Sequence, residues 1–375
     1  MLIPLADTRL PDWCDGFLPG DDAFLGRAWW DTTLRHALPS GARPVLAQAG
    51  GAALLPLLEE GGGRLRSLTT PYSLVWRPLT RPGAAEAELQ AGGRALRPAL
   101  RLRPPVRLEA LGEVPPALLR GLGGAALPYR HFGHWHEALP EGEGWEGYLA
   151  RRPPALRTTI ARKLARAARE ARFEWIAGPG AELEAGIAAF EAVRALSWKP
   201  EEPSPRFDGA LMRALAPLGA LRLAVMRRAA DAAPLAAQYW VLDAPKGGLE
   251  PAASASLTHP APAPRPVAGS DVVGGSASTH PAPGPRRATV PKLFHVETAK
   301  AASPGTALTA FALRTLIEAE GVRALDFGRG DDRYKAQWVG AREQRMGLVL
   351  ASPWHPLGWA EIARAGARRV LRRVL

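Results

Sequence analysis

The spacing of apolar positions changes several times along the chain, and each change marks an element. Residues 21–38, DDAFLGRAWWDTTLRHAL, set Phe24, Ala28, Trp29, Thr32 and Thr33 at helical intervals behind an acidic start, which predicts a scaffold helix. From Arg43 to about Thr70 the runs RPVLAQ, AALLPLL and RLRSLTT are separated by glycine pairs and triplets, the pattern of a three-stranded meander. A helix around 83–98, a strand PVRLEAL, a helix VPPALLRGL and a strand near LPYRHFGHWHEAL follow, giving the order βββαβαβ.

The second half repeats that order. LRLAVMRR, PLAAQYWVLD and ATVPKLFHVET read as strands. A helix then starts after Ser303, with Leu308, Phe311, Ala312, Thr315, Leu316 and Ala319 on its apolar stripe and Gly321 as its stop. A strand RALDF, a short helix carrying Tyr334, Lys335 and Trp338, and a last strand MGLVLAS complete the set. Arg81-Pro82-Gly83 in the first half is matched by Ser303-Pro304-Gly305 in the second. We therefore expect an α/β chain with a mixed sheet, built by internal duplication: one unit over 1–140, a second over 141–350, and a basic amphipathic helix over 351–375. The first copy has no counterpart of the GRGDDRYK turn, so the chemistry is expected in the second.

Between the copies, RPPALRTTIARKLARAARE predicts a basic helix with Arg162, Arg166 and Arg169 on one face, either a solvated surface or a place for phosphate groups. Residues 244–287 interrupt the predicted second-half hairpin with a Pro-, Ala-, Gly- and Ser-rich stretch in which THPAP occurs twice. Such a composition cannot bury enough apolar area to offset ordering entropy, so a disordered insertion at a hairpin tip is expected.

The chain has 375 residues, enough for two ordinary domains. Its formal charge of +12 would suit a polyanion, but six lysines stand against 42 arginines, and alanine, glycine and proline are also abundant. That imbalance points to a GC-rich genome rather than to nucleic acid, which is not an expected partner. The single cysteine, Cys14, excludes an internal disulfide and a cysteine-rich metal site, and agrees with a cytoplasmic setting. The N-terminus has no signal-peptide pattern, and no window has the apolar length of a membrane span. The tail GWAEIARAGARRVLRRVL suits a terminal packing helix or peripheral contact with anionic lipid.

Walker A, GxGxxG, HExxH and GxSxG patterns are absent, which sets aside nucleotide hydrolysis, dinucleotide redox, zinc proteolysis and serine-hydrolase chemistry. What remains is an anion cradle at Ser303, Pro304, Gly305 and Thr306, in which serine can cap and glycine leaves backbone N–H groups approachable. Asp331 or Asp332 is expected to cap the following short helix. Tyr334 is a candidate proton donor for a leaving group, or else a packed aromatic. Asp326 ends its strand facing a cleft or capping the next turn. Lys335 and Arg329 can balance ligand charge. His295 and Glu297, two apart on KLFHVET, can take a proton from a nucleophile. His131, His134 and His136 lack the cysteines or carboxylates that complete a zinc set, and no metal is expected.

SPGTAL before a helix, DFGRGDDRYKAQW about twenty residues on, the basic helix upstream and the SWKP turn together resemble the GNAT-superfamily acetyltransferases associated with cellulose biosynthesis, similar in layout to the tandem Fem peptidyltransferases. The resemblance spans roughly residues 20–350. It implies tandem GNAT-like domains and a sheet splayed between KLFHVET and RALDF, with acetyl-CoA or another acyl-CoA in the splay. Its pyrophosphate would lie on the Ser303–Thr306 helix start, and a backbone N–H of the fourth strand would polarise the thioester carbonyl. Tyr334 would be the acid, His295 or Glu297 the base, and Trp198, Asp326, Trp338 and Arg162 would face substrate. The superfamily's Q/R-x-x-G-x-G/A loop is missing here. The expected activity is direct acyl transfer to an amine or hydroxyl, with a sugar or polysaccharide precursor as acceptor. The rivals are Fem-like transfer from aminoacyl-tRNA and a non-catalytic scaffold of exopolysaccharide assembly.

Overall fold

The computed structural model describes residues 1–198, 201–243, 257–259 and 286–374, with side chains except at 257–259 and beyond residue 367. The first half contains β1 (Leu2–Pro4), α1 (Arg27–His36), β2 (Arg43–Ala49), β3 (Ala53–Glu60), β4 (Arg64–Ser67), β5 (Leu79–Thr80), α2 (Glu86–Leu100), β6 (Val106–Leu111), α3 (Pro116–Leu122) and β7 (Ala125–Ala138). Two helices, α4 (Trp145–Ala150) and α5 (Pro154–Glu170), lead into β8 (Ala171–Ile176), α6 (Ala181–Ala195) and α7 (Phe207–Leu215). Then come β9 (Leu221–Arg228), β10 (Pro234–Leu242), β11 (Leu257–His259), β12 (Arg287–His295), α8 (Pro304–Glu318), β13 (Ala324–Arg329), α9 (Lys335–Trp338), β14 (Ala341–Ala351) and α10 (Pro356–Val374).

The mixed α/β class and the repeated βββαβαβ order are realised as β2-β3-β4-α2-β6-α3-β7 and β9-β10-β12-α8-β13-α9-β14. All strands join one sheet in the order β1-β2-β3-β4-β6-β14-β7-β13-β12-β10-β9-β8-β11, with β5 attached to β3. Each half contributes an antiparallel meander and one parallel step, β4 to β6 and β12 to β13. The last strands are exchanged. β14 lies between β6 and β7 of the first half, and β7 lies between β14 and β13 of the second.

β9 and β10 are apolar on both faces because both are covered. Leu223, Val225, Ala237 and Tyr239 face a core with α1, α6 and α7, whereas Ala224, Met226, Ala236 and Trp240 face one with α5 and α8. On the first half, α2 and α3 approach at backbone distance. A Cβ on Gly121 would come within 2.2 Å of the Gln90 carbonyl, so only glycine fits.

Three local expectations are corrected. The first helix begins at Arg27, not 21, because residues 22–25 form a turn held by Asp22, which accepts the Phe24 N–H at 3.0 Å. The Pro-Gly start does not recur as a helix start: Pro304 is the first residue of α8, but Pro82-Gly83 lies in a turn and α2 begins at Glu86. β12 ends at His295, so Glu297 belongs to the following 3-10 turn rather than to the strand. The insertion expected over 244–287 falls outside the described residues, apart from β11 and residues 286 and 287.

Candidate active site

The second parallel step opens into a wedge. β12 and β13 pair from Arg287–Ala324 to Thr289–Asp326 and then part. β12 stays on β10 as far as His295. β13 is turned away at Gly328, whose φ of 66° suits a residue without a Cβ, and meets β7 again at Arg329. β12 itself bulges between its Thr289 and Lys292 pairings, which places Pro291 where a missing N–H breaks no ladder bond. A cavity of about 170 Å³ occupies the gap, lined by Pro291 and Lys292 of β12, Phe327 and Arg329 of β13, and Tyr334 and Lys335 of the next turn.

The alternation of β12 gives the wedge two faces. Leu293 and His295 face the start of α8, where His295 Nδ1 lies 3.6 Å from the position a Cβ on Gly305 would take. Lys292 points the other way, onto the Tyr72 ring at 5.0 Å and the Glu202 carboxylate at 2.5 Å. Tyr72 arrives from the loop after β4 and stacks on Phe207 at 4.4 Å. Beside it the Tyr239 hydroxyl donates to Asp208 at 2.7 Å. Both are fully enclosed, and burial, opposed by Lys292 and this bond, pushes the Asp208 carboxyl up to about 6. Sequence reading passed over this cluster. The available signals were a lone acid inside the apolar stretch of α7 and a lysine opposite His295 in the period of β12.

On the α8 side the cradle is built differently from the expectation. Ser303 is left-handed (φ 52°, ψ 52°) and its hydroxyl does not cap the helix; its carbonyl accepts the Thr306 and Ala307 N–H groups instead. Pro304 has no N–H, so the first N–H of α8 is that of Gly305, which meets no acceptor among the described residues. The first turn carries no acid. His295 and Glu297 come within 3.9 Å, Nε2 to Oε2, while Glu297 also binds Lys300 at 3.0 Å.

In the polar turn, neither Asp331 nor Asp332 caps α9. Asp331 pairs with Arg342 at 2.7 Å, and Asp332 lies 3.6 Å from Lys335. Tyr334 precedes α9 and is 40% exposed at the cavity. The packing around it, with Asp332 adding, pushes its phenol well above the ordinary value, so it stays protonated at neutral pH. Lys335 is buried, donates to the Arg329 carbonyl at 2.6 Å, and is pushed down by that burial. Arg329 lies over the Phe132 ring at 4.7 Å, and among the described residues its guanidinium meets no carboxylate.

Asp326 is taken up structurally. Both its oxygens lie 2.9 Å from His134 Nε2, and it accepts the Gly328 N–H at 2.7 Å. Burial, the largest single influence, pushes this carboxyl up, but the His134 bond and charge together with the Gly328 N–H and Arg287 outweigh it and hold it below the usual range. Arg345 donates to His134 Nδ1 at 3.0 Å. His134, His136 and Glu343 place one ligand atom each within 4.8 Å of one another, yet both His134 nitrogens are already engaged. Trp338 is a core residue, and its carbonyl accepts from Tyr148 and Arg152. Trp198 is exposed beyond α6. A groove of about 540 Å³ runs from α5 to the residues before α8, lined by Lys163, Arg166, Arg169 and Arg228. Arg162 is exposed and is not among the residues that line it, whereas Lys163 is.

No family model matches the chain, and no curated protein does. Among solved structures it is similar to FemX, at 10% identity and a TM-score of 0.49 over 93% of this chain and 96% of that one. A conserved protein of unknown function from Bacteroides thetaiotaomicron matches at 8% identity and 0.49, over 90% and 96%. A tandem GNAT protein from the clavulanic acid biosynthesis pathway matches at 15% and 0.39, over 93% and 96%. The functional reading therefore rests on the wedge itself.

Proposed function

We propose that the chain is an acyl-CoA-dependent acyltransferase that passes an acyl group directly from the thioester to an amine or hydroxyl acceptor. The observation that carries this reading is the parting of β12 and β13 beside an acid-free helix start. A thioester arm can enter the gap between two strands that have ceased to pair, and Gly305, Lys163 and the groove beside them offer donors and positive charge to a pyrophosphate. The acceptor heteroatom attacks the carbonyl carbon and loses its proton to His295 or Glu297; the C–S bond then breaks and Tyr334 protonates the departing thiolate. Pro291 cannot supply the oxyanion donor, so it must come from another N–H of β12. Lys292, Tyr72 and Arg329 face the acceptor, and a sugar or polysaccharide precursor is the acceptor we propose.

A thermal-shift series with acetyl-CoA, longer acyl-CoAs and free CoA tests this, since a ligand that binds the folded state must raise its melting temperature. No rise with any donor would overturn the reading and favour a non-catalytic scaffold. The basic groove supports a second reading, Fem-like transfer from aminoacyl-tRNA. Salt-dependent tRNA binding that is lost on replacing Lys163, Arg166 and Arg169 by alanine would favour it.

A further inference from the structure

The turn between β14 and α10 presents large apolar side chains to solvent. Trp354 is 74% exposed, Trp359 65% and Leu357 50%. Gly358 permits the close approach of α10 to the turn, since a Cβ there would meet the Ser352 carbonyl at 2.0 Å. The turn is fixed by its own bonds. Leu357 donates its N–H to His355 Nδ1 at 3.2 Å, Trp359 its N–H to the His355 carbonyl at 3.0 Å, and Trp354 its N–H to Ser352 Oγ at 3.3 Å. The end of α2 adjoins it, since Leu100, Arg101 and Arg103 line one small pocket with Pro353 and Trp354. Leu102, between those arginines, is itself 65% exposed.

We propose that this corner is a docking surface for an anionic lipid bilayer. Tryptophan and leucine in this ratio suit the boundary between headgroups and acyl chains, where an indole keeps its N–H wet and buries its rings. Arg101 flanks the patch, and in sequence residues 356–375 hold five arginines against a single acid, Glu361, which already lies 3.9 Å from Arg107 and 3.4 Å from Arg364. A second copy of the chain would bring the same arginines against these, whereas an anionic surface complements them. General arginine richness does not account for the patch, because codon usage that favours arginine does not expose two tryptophans five residues apart.

The full chain is mixed with vesicles of phosphatidylglycerol and phosphatidylcholine, or of phosphatidylcholine alone, and followed by flotation and tryptophan emission. The expected result is binding to the anionic vesicles with a blue shift, weakened by salt. Trp354→Ala with Trp359→Ala should cut the affinity about tenfold or more and abolish the blue shift, since the rings supply the insertion. Its melting temperature should match the parent's, as both side chains are exposed. Trp13→Ala, an exposed tryptophan elsewhere, should bind as the parent does. No binding to anionic vesicles, unchanged binding by the double variant, or tight binding to an RNA homopolymer with none to vesicles would overturn the proposal.

Discussion

The molecule contains the same parallel step twice, and the two are finished in opposite ways. In the first half β4 and β6 touch at Arg66 and Arg107, and the space beyond is closed by side chains and loop. Ser67 Oγ accepts the Glu109 N–H at 2.8 Å, Thr69 Oγ1 donates to the Glu109 carboxylate at 3.1 Å, and Trp76 bonds Ala110 and Gly112 across the gap at 2.7 and 2.8 Å. The helix that follows starts with Glu86 and Glu88, and Glu88 accepts the Ala85 N–H at 2.8 Å. In the second half the pairing of β12 with β13 ends at Thr289 and Asp326, and α8 starts with Pro304, Gly305 and Thr306. The two copies thus differ in the polar bridges and the acidic cap, which the first has and the described residues of the second do not. The open copy also carries the enclosed Asp208, whose carboxyl burial pushes up to about 6.

Four experiments bear on this contrast, from the largest expected effect to the smallest. Tyr334→Phe should lower turnover about 10²- to 10⁴-fold while the acyl-CoA-induced thermal shift persists, the range for loss of a positioned acid. Unchanged turnover would remove the tyrosine from the mechanism. Asp208→Asn probes that burial. The folded form holds this proton more tightly than the ordinary value of 3.8, so the stability that Asp208 adds is complete below that pH and is lost as pH rises through about 6. The asparagine keeps an acceptor for Tyr239 without titrating, so its stability relative to the parent should improve by roughly 2–3 kcal/mol between about pH 4 and pH 7. Chemical denaturation at the two pH values measures this, and equal differences would show no such shift. Thr306→Glu gives α8 the acid that α2 has. It should weaken acyl-CoA binding about ten- to a hundredfold by titration calorimetry, with the ligand-free protein as stable as the parent or more so. Ser67→Ala removes a bridge from the closed copy, and should cost about 1 kcal/mol in urea unfolding with turnover untouched.

The repetition itself was legible, because period-two and period-3.6 runs alternate in the same order in both halves. The parting of the strands between KLFHVET and RALDF also agrees with what the resemblance implied. What stayed hidden depends on side chains meeting across long separations. Nothing local to Tyr72 says that it will lie between Lys292 and Phe207, and nothing near Asp326 announces His134, since both pairings are set by how the halves share one sheet. Capping was misread at Ser303 and Asp331 for a related reason. Local propensity favours a cap, but a left-handed backbone turned one away and Arg342 engaged the other.

The exchange of β7 and β14 bears on how such a chain can be assembled and divided. β7 is synthesised before its partners β13 and β14 exist, so the middle of the sheet must wait for the last strands to emerge. Contacts of such sequence separation make slow folding the expectation. A gene cut after β7 would yield a first piece whose longest strand has no neighbour, and a second whose final strand has lost its place. The two copies repeat an order of elements but are not interchangeable parts, since the last strand of each is seated among strands of the other.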